Sequence, residues 1–272
     1  MKFIIMCGGT YEDWEHPKHI SEVCGEPIVA RTIRLLRENG VKDIAISSLN
    51  PVFEKFGVEV LRHDNPYTLP IGSDAETPWL DAFYPMTVPV CYIFGDVVFS
   101  PEAIKKIVET ETDSIEFFAS AKPLPFIYPK RWAEPFAFKV EDTTRFFKAI
   151  AQTIELDKQG MFKRQPVSWE LWQVIKGTPL NKVDYTNYTV INDYTCDIDE
   201  PDEVYVFNNI IKENTPPTKF GYVYEYYTGK ECANCGRNRV IHWSKGYDIC
   251  EKCGWCPQLN NYVFDSDFDV DE

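Results

Sequence analysis

The sequence is short of positive charge. Its 272 residues hold 28 lysines and arginines against 42 aspartates and glutamates, a formal net charge of −14. Nucleic-acid backbone is a poor partner for such a chain, because neutralising phosphates takes clustered cations. Part of the excess is local: the last eight residues, DSDFDVDE, are mostly carboxylates and read as a solvated terminus. No run of about 18 apolar residues exists, so no membrane span is expected. The opening run KFIIM is too short for a signal peptide and lacks a cleavage site. No internal repeat is visible. The four histidines do not cluster; His16 and His19 flank Pro17-Lys18 and read as solvent-facing. Apolar residues are not scarce: at 44%, with 15% aromatics, they suffice for one large domain or a medium domain with an appendage.

Of nine cysteines, Cys7, Cys24, Cys91 and Cys196 are scattered, whereas five crowd into residues 232–256. Free thiols with one local metal site suit a cytoplasmic protein better than a secreted disulfide scaffold.

The first half alternates between strand and helix patterns. KFIIMCG, DIAISS, VEVLRH, VCYIFGD and SIEFFASA read as strands. PIVARTIRLLRENG has apolar residues at helical spacing and stops at Asn39-Gly40, and SPEAIKKIVET begins with a Ser cap and Pro. WLDAFYPM and NPVFEKFG read as short helices or turns. Further on, PFAFKV and YTVINDY read as strands, and TTRFFKAIAQTIELDKQG and SWELWQVIKG as helices ending at glycine. The acidic segment DEPDE opens another helix, where its charges suit the dipole. This alternation predicts an α/β domain, a Rossmann-like mixed, mainly parallel sheet flanked by helices. Residues 214–219, NTPPTK, read as a linker, dividing the chain into an α/β domain over 1–213 and a module over 220–272.

In open parallel sheets ligands bind at the carboxyl ends of the strands, and three features sit there. The loop MCGGTYEDWEHPK follows the first strand but is neither a P-loop nor G-x-G-x-x-G. Gly8 and Gly9 would let a nucleotide lie against the backbone, and Lys18, after the rigid Pro17, provides a mobile positive charge for phosphates. An ordinary βα turn with a surface lysine is the plainer reading. Asp96 ends the buried strand CYIFGD, where a carboxylate suits a hard cation such as Mg²⁺. A second carboxylate comes from Asp197 or Asp199 in CDIDEPDE; two apart in an extended segment, both face one side. Asp199 would also serve as a helix cap.

These stretches resemble the sugar-phosphate nucleotidyltransferases. KFIIMCGG…HPKHISEVCGEPIVARTIRLLRENG is similar to the family's strand, glycine loop, Pro-Lys and G-x-P opening. FGDVVF resembles its Gly-Asp metal motif, and DIDEPDEV its D-x-D-x-P-E-D-L segment, all in order over roughly residues 1–212. The resemblance implies a GT-A-like fold and transfer of a nucleoside monophosphate from an NTP to a phosphorylated acceptor, a sugar phosphate or phospho-alcohol, with release of pyrophosphate. It implies that Cys7, Gly8, Gly9 and Thr10 surround the nucleotide, that Lys18 contacts its phosphates, and that Asp96 with Asp199 or Asp197 holds Mg²⁺. GSDAETPWLDAF lies where the family contacts the base, which singles out Ser73 and Asp74. Glu134 resembles the acidic residue before the acceptor pocket. The aromatics Phe126, Tyr128, Trp132, Phe136, Trp169 and Trp172 would line that pocket or, more commonly, form core. One departure stands out: the family's loop arginine after the Gly-x-Gly-Thr position is absent, and Glu12, Asp13 and Glu15 occupy the loop. It leaves open a non-catalytic nucleotide or nucleotide-sugar sensor whose C-terminal cysteine module, a zinc ribbon, recruits a partner, or a divergent glycosyltransferase.

CANCG and CEKCG are two C-x-x-C-G knuckles, a spacing that reads as four thiolates, Cys232, Cys235, Cys250 and Cys253, around a structural Zn²⁺. Cys256 is left over. A module of about 45 residues builds little core without such a metal. A homo-oligomer stays open.

Overall fold

A computed structural model describes residues 1–8, 14–63, 79–120, 133–199, 201, 203–212, 224–227, 230–234, 236, 240–243, 247–250, 255–258 and 261–262. The calls on Gly9, Thr10, Ser73, Asp74, Phe126, Tyr128, Trp132, Cys235, Cys253 and the linker 214–219 lie outside these residues.

The centre is a seven-stranded sheet. Its strands are β1 (Lys2–Met6), β2 (Ile44–Ser47), β3 (Glu59–Leu61), β4 (Val90–Phe94), β5 (Ile115–Ser120), β6 (Pro135–Val140) and β7 (Thr189–Ile191), in the order β7-β5-β6-β4-β1-β2-β3. All neighbours pair in parallel except around β6, which runs antiparallel to both β4 and β5. The mixed, mainly parallel sheet matches the strand–helix alternation of the sequence. Strands buried on both faces need continuous apolar runs, and every residue of VCYIF is buried, with KFIIM nearly so.

Among the described residues five helices accompany the sheet: α1 (Ile28–Glu38), α2 (Pro101–Glu109), α3 (Thr143–Lys158), α4 (Ser168–Lys176) and α5 (Glu203–Lys212). Their ends follow local chemistry. Ser100 Oγ accepts from Ala103 N at 2.9 Å and Asp142 Oδ1 from Arg145 N at 2.9 Å, each satisfying an orphan amide at a helix start. α1 closes at Gly40, whose φ of +82° is the left-handed turn that glycine takes without strain. Leu80–Ala82 and Pro51–Phe56, read as short helices, are 3₁₀ turns. α1 packs beside α2 and α3 beside α4. The α3–α4 side is aromatic: Phe117 stacks on Phe138 with centroids 4.5 Å apart, and Trp169 and Trp172 meet Phe117 at 5.0 and 5.5 Å. Phe136, Trp169 and Trp172 are thus buried.

The single antiparallel strand matters for position. Reversing β6 brings its N-terminal end, with Glu134 just before it, to the edge where β1, β4 and β5 finish. Helix α2 finishes on the opposite side, where the buried Lys139 donates to the carbonyls of Ile107, Val108 and Thr110. Near the C-terminus, β8 (Tyr224–Tyr227), β9 (Val240–Trp243) and β10 (Tyr247–Cys250) form an antiparallel meander. No helix among the described residues is long and apolar enough to cross a membrane.

Candidate active site

β1 ends at Met6 and β4, its parallel neighbour, ends at Phe94. The turn after β4 folds back on β1: Gly95 N donates to Met6 O at 3.0 Å. A Cβ at Gly95 would lie 2.5 Å from that carbonyl and 2.7 Å from Cys7 Sγ, so this close approach admits only glycine. The contact fixes Asp96 directly beside the end of β1.

A short antiparallel ladder then brings in the distant aspartates. Val97–Val98 pairs with Cys196–Asp197, and Ile198 N donates to Asp96 O at 2.9 Å. The extended run from Cys196 carries Asp197 and Asp199 to one side, and both line the same cavity as Asp96. The α5 helix begins at Glu203, whose Oε2 accepts from Asp199 N at 2.6 Å.

Lys18 stands in the middle of these carboxylates. Its Nζ lies 2.7 Å from Asp96 Oδ2 and 3.5 Å from Asp199 Oδ1, and donates to Ile198 O at 2.9 Å. The side chain is 1% exposed. The plainer reading of a surface lysine is therefore corrected: Pro17 starts a 3₁₀ turn, Lys18–Ile20, that points the lysine inward, where the carboxylates compensate its burial. His19 is corrected too. It is buried, not solvent-facing, and packs edge-on against Phe53 at 5.9 Å because the same turn directs it under Gly95; His16 is exposed.

Electrostatics follow from this packing. Burial works to raise the Asp96 carboxyl, but the charges of Lys18 and His19 outweigh it and hold the group below its ordinary range. Burial pushes His19 down to about 4, against the pull of Asp96. Its Nδ1 is buried and has no partner among the described residues. The Cys7 thiol is held well above its usual range by burial first and by Asp96 second.

A pH dependence follows. Below the unfolded value of 6.5 the unfolded chain takes up a proton at His19 that the folded chain refuses, so stability falls as pH drops from 6.5 towards 4. The loss should approach about 3 kcal/mol at the acid end of that window. Asp96, whose pKa is lowered, adds its own loss only below its unfolded value of 3.8. Urea unfolding of wild type and His19→Phe across this range should show the variant with a flatter profile between pH 6.5 and 4; identical profiles would contradict the assignment.

The cavity has a volume of about 300 Å³, at the small end of ligand sites. Gly8, Asp96, Asp197 and Asp199 line it together with Trp79, Phe94 and His19 and with Glu134, Arg164, Ser168 and Trp169. Glu134 is 9% exposed. The sequence reading thus placed Lys18, Asp96, Asp197, Asp199, Gly8 and Glu134 around one cavity or its edge. It missed Arg164, whose neighbourhood depends on the α3–α4 packing, and the inward turn of His19. Among the described residues no group of three or more His, Cys, Asp or Glu is gathered tightly enough to hold a metal ion; the ammonium of Lys18 lies between the carboxylates instead.

No protein-family model matches the chain, and no curated protein matches it. Solved structures do. A Bacillus anthracis protein described as a glucose-1-phosphate thymidylyltransferase, in complex with a sucrose, aligns over 78% of this chain and 95% of its own, at 17% identity and a TM-score of 0.48. The inositol-1-phosphate CTP transferase of T. maritima aligns over 78% and 96%, at 18% identity and 0.46. The CTP:phosphocholine cytidylyltransferase of Streptococcus pneumoniae aligns over 77% and 98%, at 14% and 0.43.

Proposed function

We propose that the chain is a divalent-cation-dependent nucleotidyltransferase, residues 1–213, carrying a small zinc module over 220–272. It moves a nucleoside monophosphate from an NTP to the phosphate of a small acceptor. One observation carries the reading: a buried lysine held between Asp96 and Asp199 at the carboxyl end of a mainly parallel sheet, beside Gly8.

The acceptor's phosphate oxygen attacks the α-phosphorus in line, the bond to the β-phosphate breaks, and pyrophosphate leaves. No protein nucleophile is required, so positioning and charge neutralisation carry the rate. Cys7, Gly8, Gly9 and Thr10 would give the nucleotide a backbone floor, Ser73 and Asp74 would meet the base, and Glu134 the acceptor. Lys18 would contact the phosphates once nucleotide is present. Asp96 with Asp199 or Asp197 would supply hard carboxylate oxygens, the donor type that Mg²⁺ takes; Asp96 and Asp199 now flank the Lys18 ammonium. Bound there, Mg²⁺ would neutralise charge on the transferring phosphates.

The test is pyrophosphate release from each NTP with Mg²⁺ and a panel of sugar 1-phosphates and phosphorylated alcohols. Release with one pair is expected. No release with any pair, together with no nucleotide binding by calorimetry, would falsify the reading.

For the C-terminal module the support is a thiolate-knuckle turn. Gly236, at φ +66°, donates its N–H to Cys232 O at 2.8 Å, and buried Cys232 and Cys250 pack with Trp255. Purified protein should contain one zinc per chain, released by a thiol-directed mercurial with loss of thermal stability. Zinc-free protein of unchanged stability would remove the metal from the account.

A further inference from the structure

The aspartates that come from far along the chain reach the site on a short support. Val97–Val98 pairs with Cys196–Asp197 over two residues, and the bond from Ile198 N to Asp96 O extends the pairing at the site end. A ladder of this length has little stability of its own. Its register nevertheless decides the chemistry. Cys196 and Ile198 are fully buried, whereas Asp197 and Asp199 line the cavity. Side chains alternate along an extended segment, so a slip of one residue would carry the aspartates to the apolar side and Ile198 into the cavity. Lys18 holds the site end through its bond to Ile198 O at 2.9 Å. On the proposed reading that lysine turns to phosphate when nucleotide binds, so the register must be held from elsewhere.

The other end of the ladder carries a polar cluster that the proposed chemistry leaves unused. Thr195 directly precedes the Cys196 strand, and Ser100 lies two residues beyond Val98. Ser100 N donates to Thr195 Oγ1 at 2.9 Å. Ser100 Oγ donates to Asp193 Oδ2 at 2.6 Å while it accepts from Ala103 N at the start of α2. Asp193 is itself set, since its Oδ1 accepts from Thr195 N at 2.7 Å. Arg31 of α1 spans both segments: its Nε donates to Phe99 O at 3.2 Å and its Nη2 to Tyr194 Oη at 3.0 Å. Ser100, Thr195 and Arg31 are all buried. Buried donors and acceptors that lose their partners are costly, and a slipped ladder would part Ser100 from both Thr195 and Asp193. None of Arg31, Ser100, Asp193 and Thr195 lines the cavity.

We infer that Ser100, Asp193 and Thr195, backed by Arg31, are positioning residues: they lock the register of the short ladder and so keep Asp197 and Asp199 facing Asp96. The inference rests on the nucleotidyltransferase reading for the role of those aspartates and adds to it the residues that fix their place. The lock ties the aspartates to the starts of α1 and α2, two elements that have no part in the proposed chemistry.

Amide hydrogen exchange of the full chain reads the lock without turnover. Thr195→Val keeps the branched shape and removes the acceptor of Ser100 N. In this variant the Ile198 amide should exchange about tenfold faster, the effect of losing one buried hydrogen bond. The Phe3 amide, bonded to Asp43 O in the central sheet, should keep its wild-type rate. In turnover the variant's activation constant for Mg²⁺ should rise about tenfold by the same measure, and excess Mg²⁺ should recover most of kcat. A loss of stability alone produces no such rescue. Thr195→Ser returns the hydroxyl and should return both readouts towards wild type. Asp193→Ala changes a half-buried residue, so it should fold, and it should shift both readouts in the same direction as Thr195→Val. Unchanged Ile198 exchange in Thr195→Val and Asp193→Ala would overturn the lock, as would faster exchange spread evenly over the sheet. Faster exchange at Ile198 with an unchanged Mg²⁺ constant would overturn the positioning role. A chain that loses Ile198 protection as expected, yet binds no nucleotide and releases no pyrophosphate, would uphold the lock and overturn the nucleotidyltransferase reading.

Discussion

Replacing Asp96 by asparagine is expected to lower kcat for pyrophosphate release about a thousandfold, with the chain still folded. The magnitude is that of losing a charged group which acts on developing phosphate charge. Asparagine keeps a carbonyl oxygen within reach of Lys18 Nζ, now 2.7 Å from the carboxylate. The ammonium therefore retains a partner, together with Ile198 O at 2.9 Å. Asp96→Ala removes that partner from a lysine that is 1% exposed. Taking the shorter of its two printed carboxylate contacts from this buried ammonium, with Asp199 at 3.5 Å left, should cost stability besides the activity, up to about 3 kcal/mol. The comparison of kcat with the midpoint of thermal unfolding separates the two effects. Equal losses of kcat in both variants, but loss of stability only in the alanine, is the expected pattern. An asparagine variant with wild-type turnover would move the cation elsewhere.

Lys18→Met should do two opposite things. Turnover should fall by a similar factor, because the only cation held among these aspartates in the described structure is gone. Affinity of the nucleotide-free protein for Mn²⁺ should rise at least tenfold. The reason is electrostatic: a divalent ion between Asp96 and Asp199 would sit within a few ångströms of the ammonium, a repulsion of several kcal/mol even in a partly wet site. In the nucleotide-free chain the lysine is the counter-ion of these carboxylates, and on the proposed reading it would have to leave for a metal to enter. Methionine fills the aliphatic space of the stem. Asp96 and Asp199 side chains are 24% and 50% exposed, so water can solvate them once the ammonium is removed. Electron paramagnetic resonance of free Mn²⁺ reads the affinity directly. An unchanged or weaker affinity would mean that lysine and metal do not share the site.

Much of this was legible in the chain itself. The apolar runs KFIIM and VCYIF could only be buried central strands, and the Ser-Pro and Asn-Gly signals marked helix ends that the hydrogen bonds of α1 and α2 reproduce. The meeting of Asp96 with Asp197 and Asp199, about a hundred residues away, was implied by their places at strand ends and by the family resemblance; the two-residue period put only Asp197 and Asp199 on one side. What the chain concealed depends on tertiary direction. Whether Lys18 and His19 turn out or in is decided by a 3₁₀ turn that packs on Phe53 and Gly95, and nothing in HPKHIS announces it. Arg164 sits in a polar stretch, KRQP, of the kind that usually belongs to solvent. Its meaning comes only from Glu170, which accepts from Val167 N and from the guanidinium, contacts that the sequence does not announce.

The central claim is that Asp96 and Asp199 share one cation with the phosphates of a nucleotide lying over Gly8. Crystals grown with Mn²⁺ and a non-hydrolysable NTP analogue test it in a single anomalous difference map. The expected result is one manganese peak at Asp96 and Asp199 beside the nucleotide phosphates, with Lys18 Nζ moved off Asp199. Manganese bound elsewhere, or a nucleotide away from Gly8 with Lys18 still between the aspartates, would contradict the account.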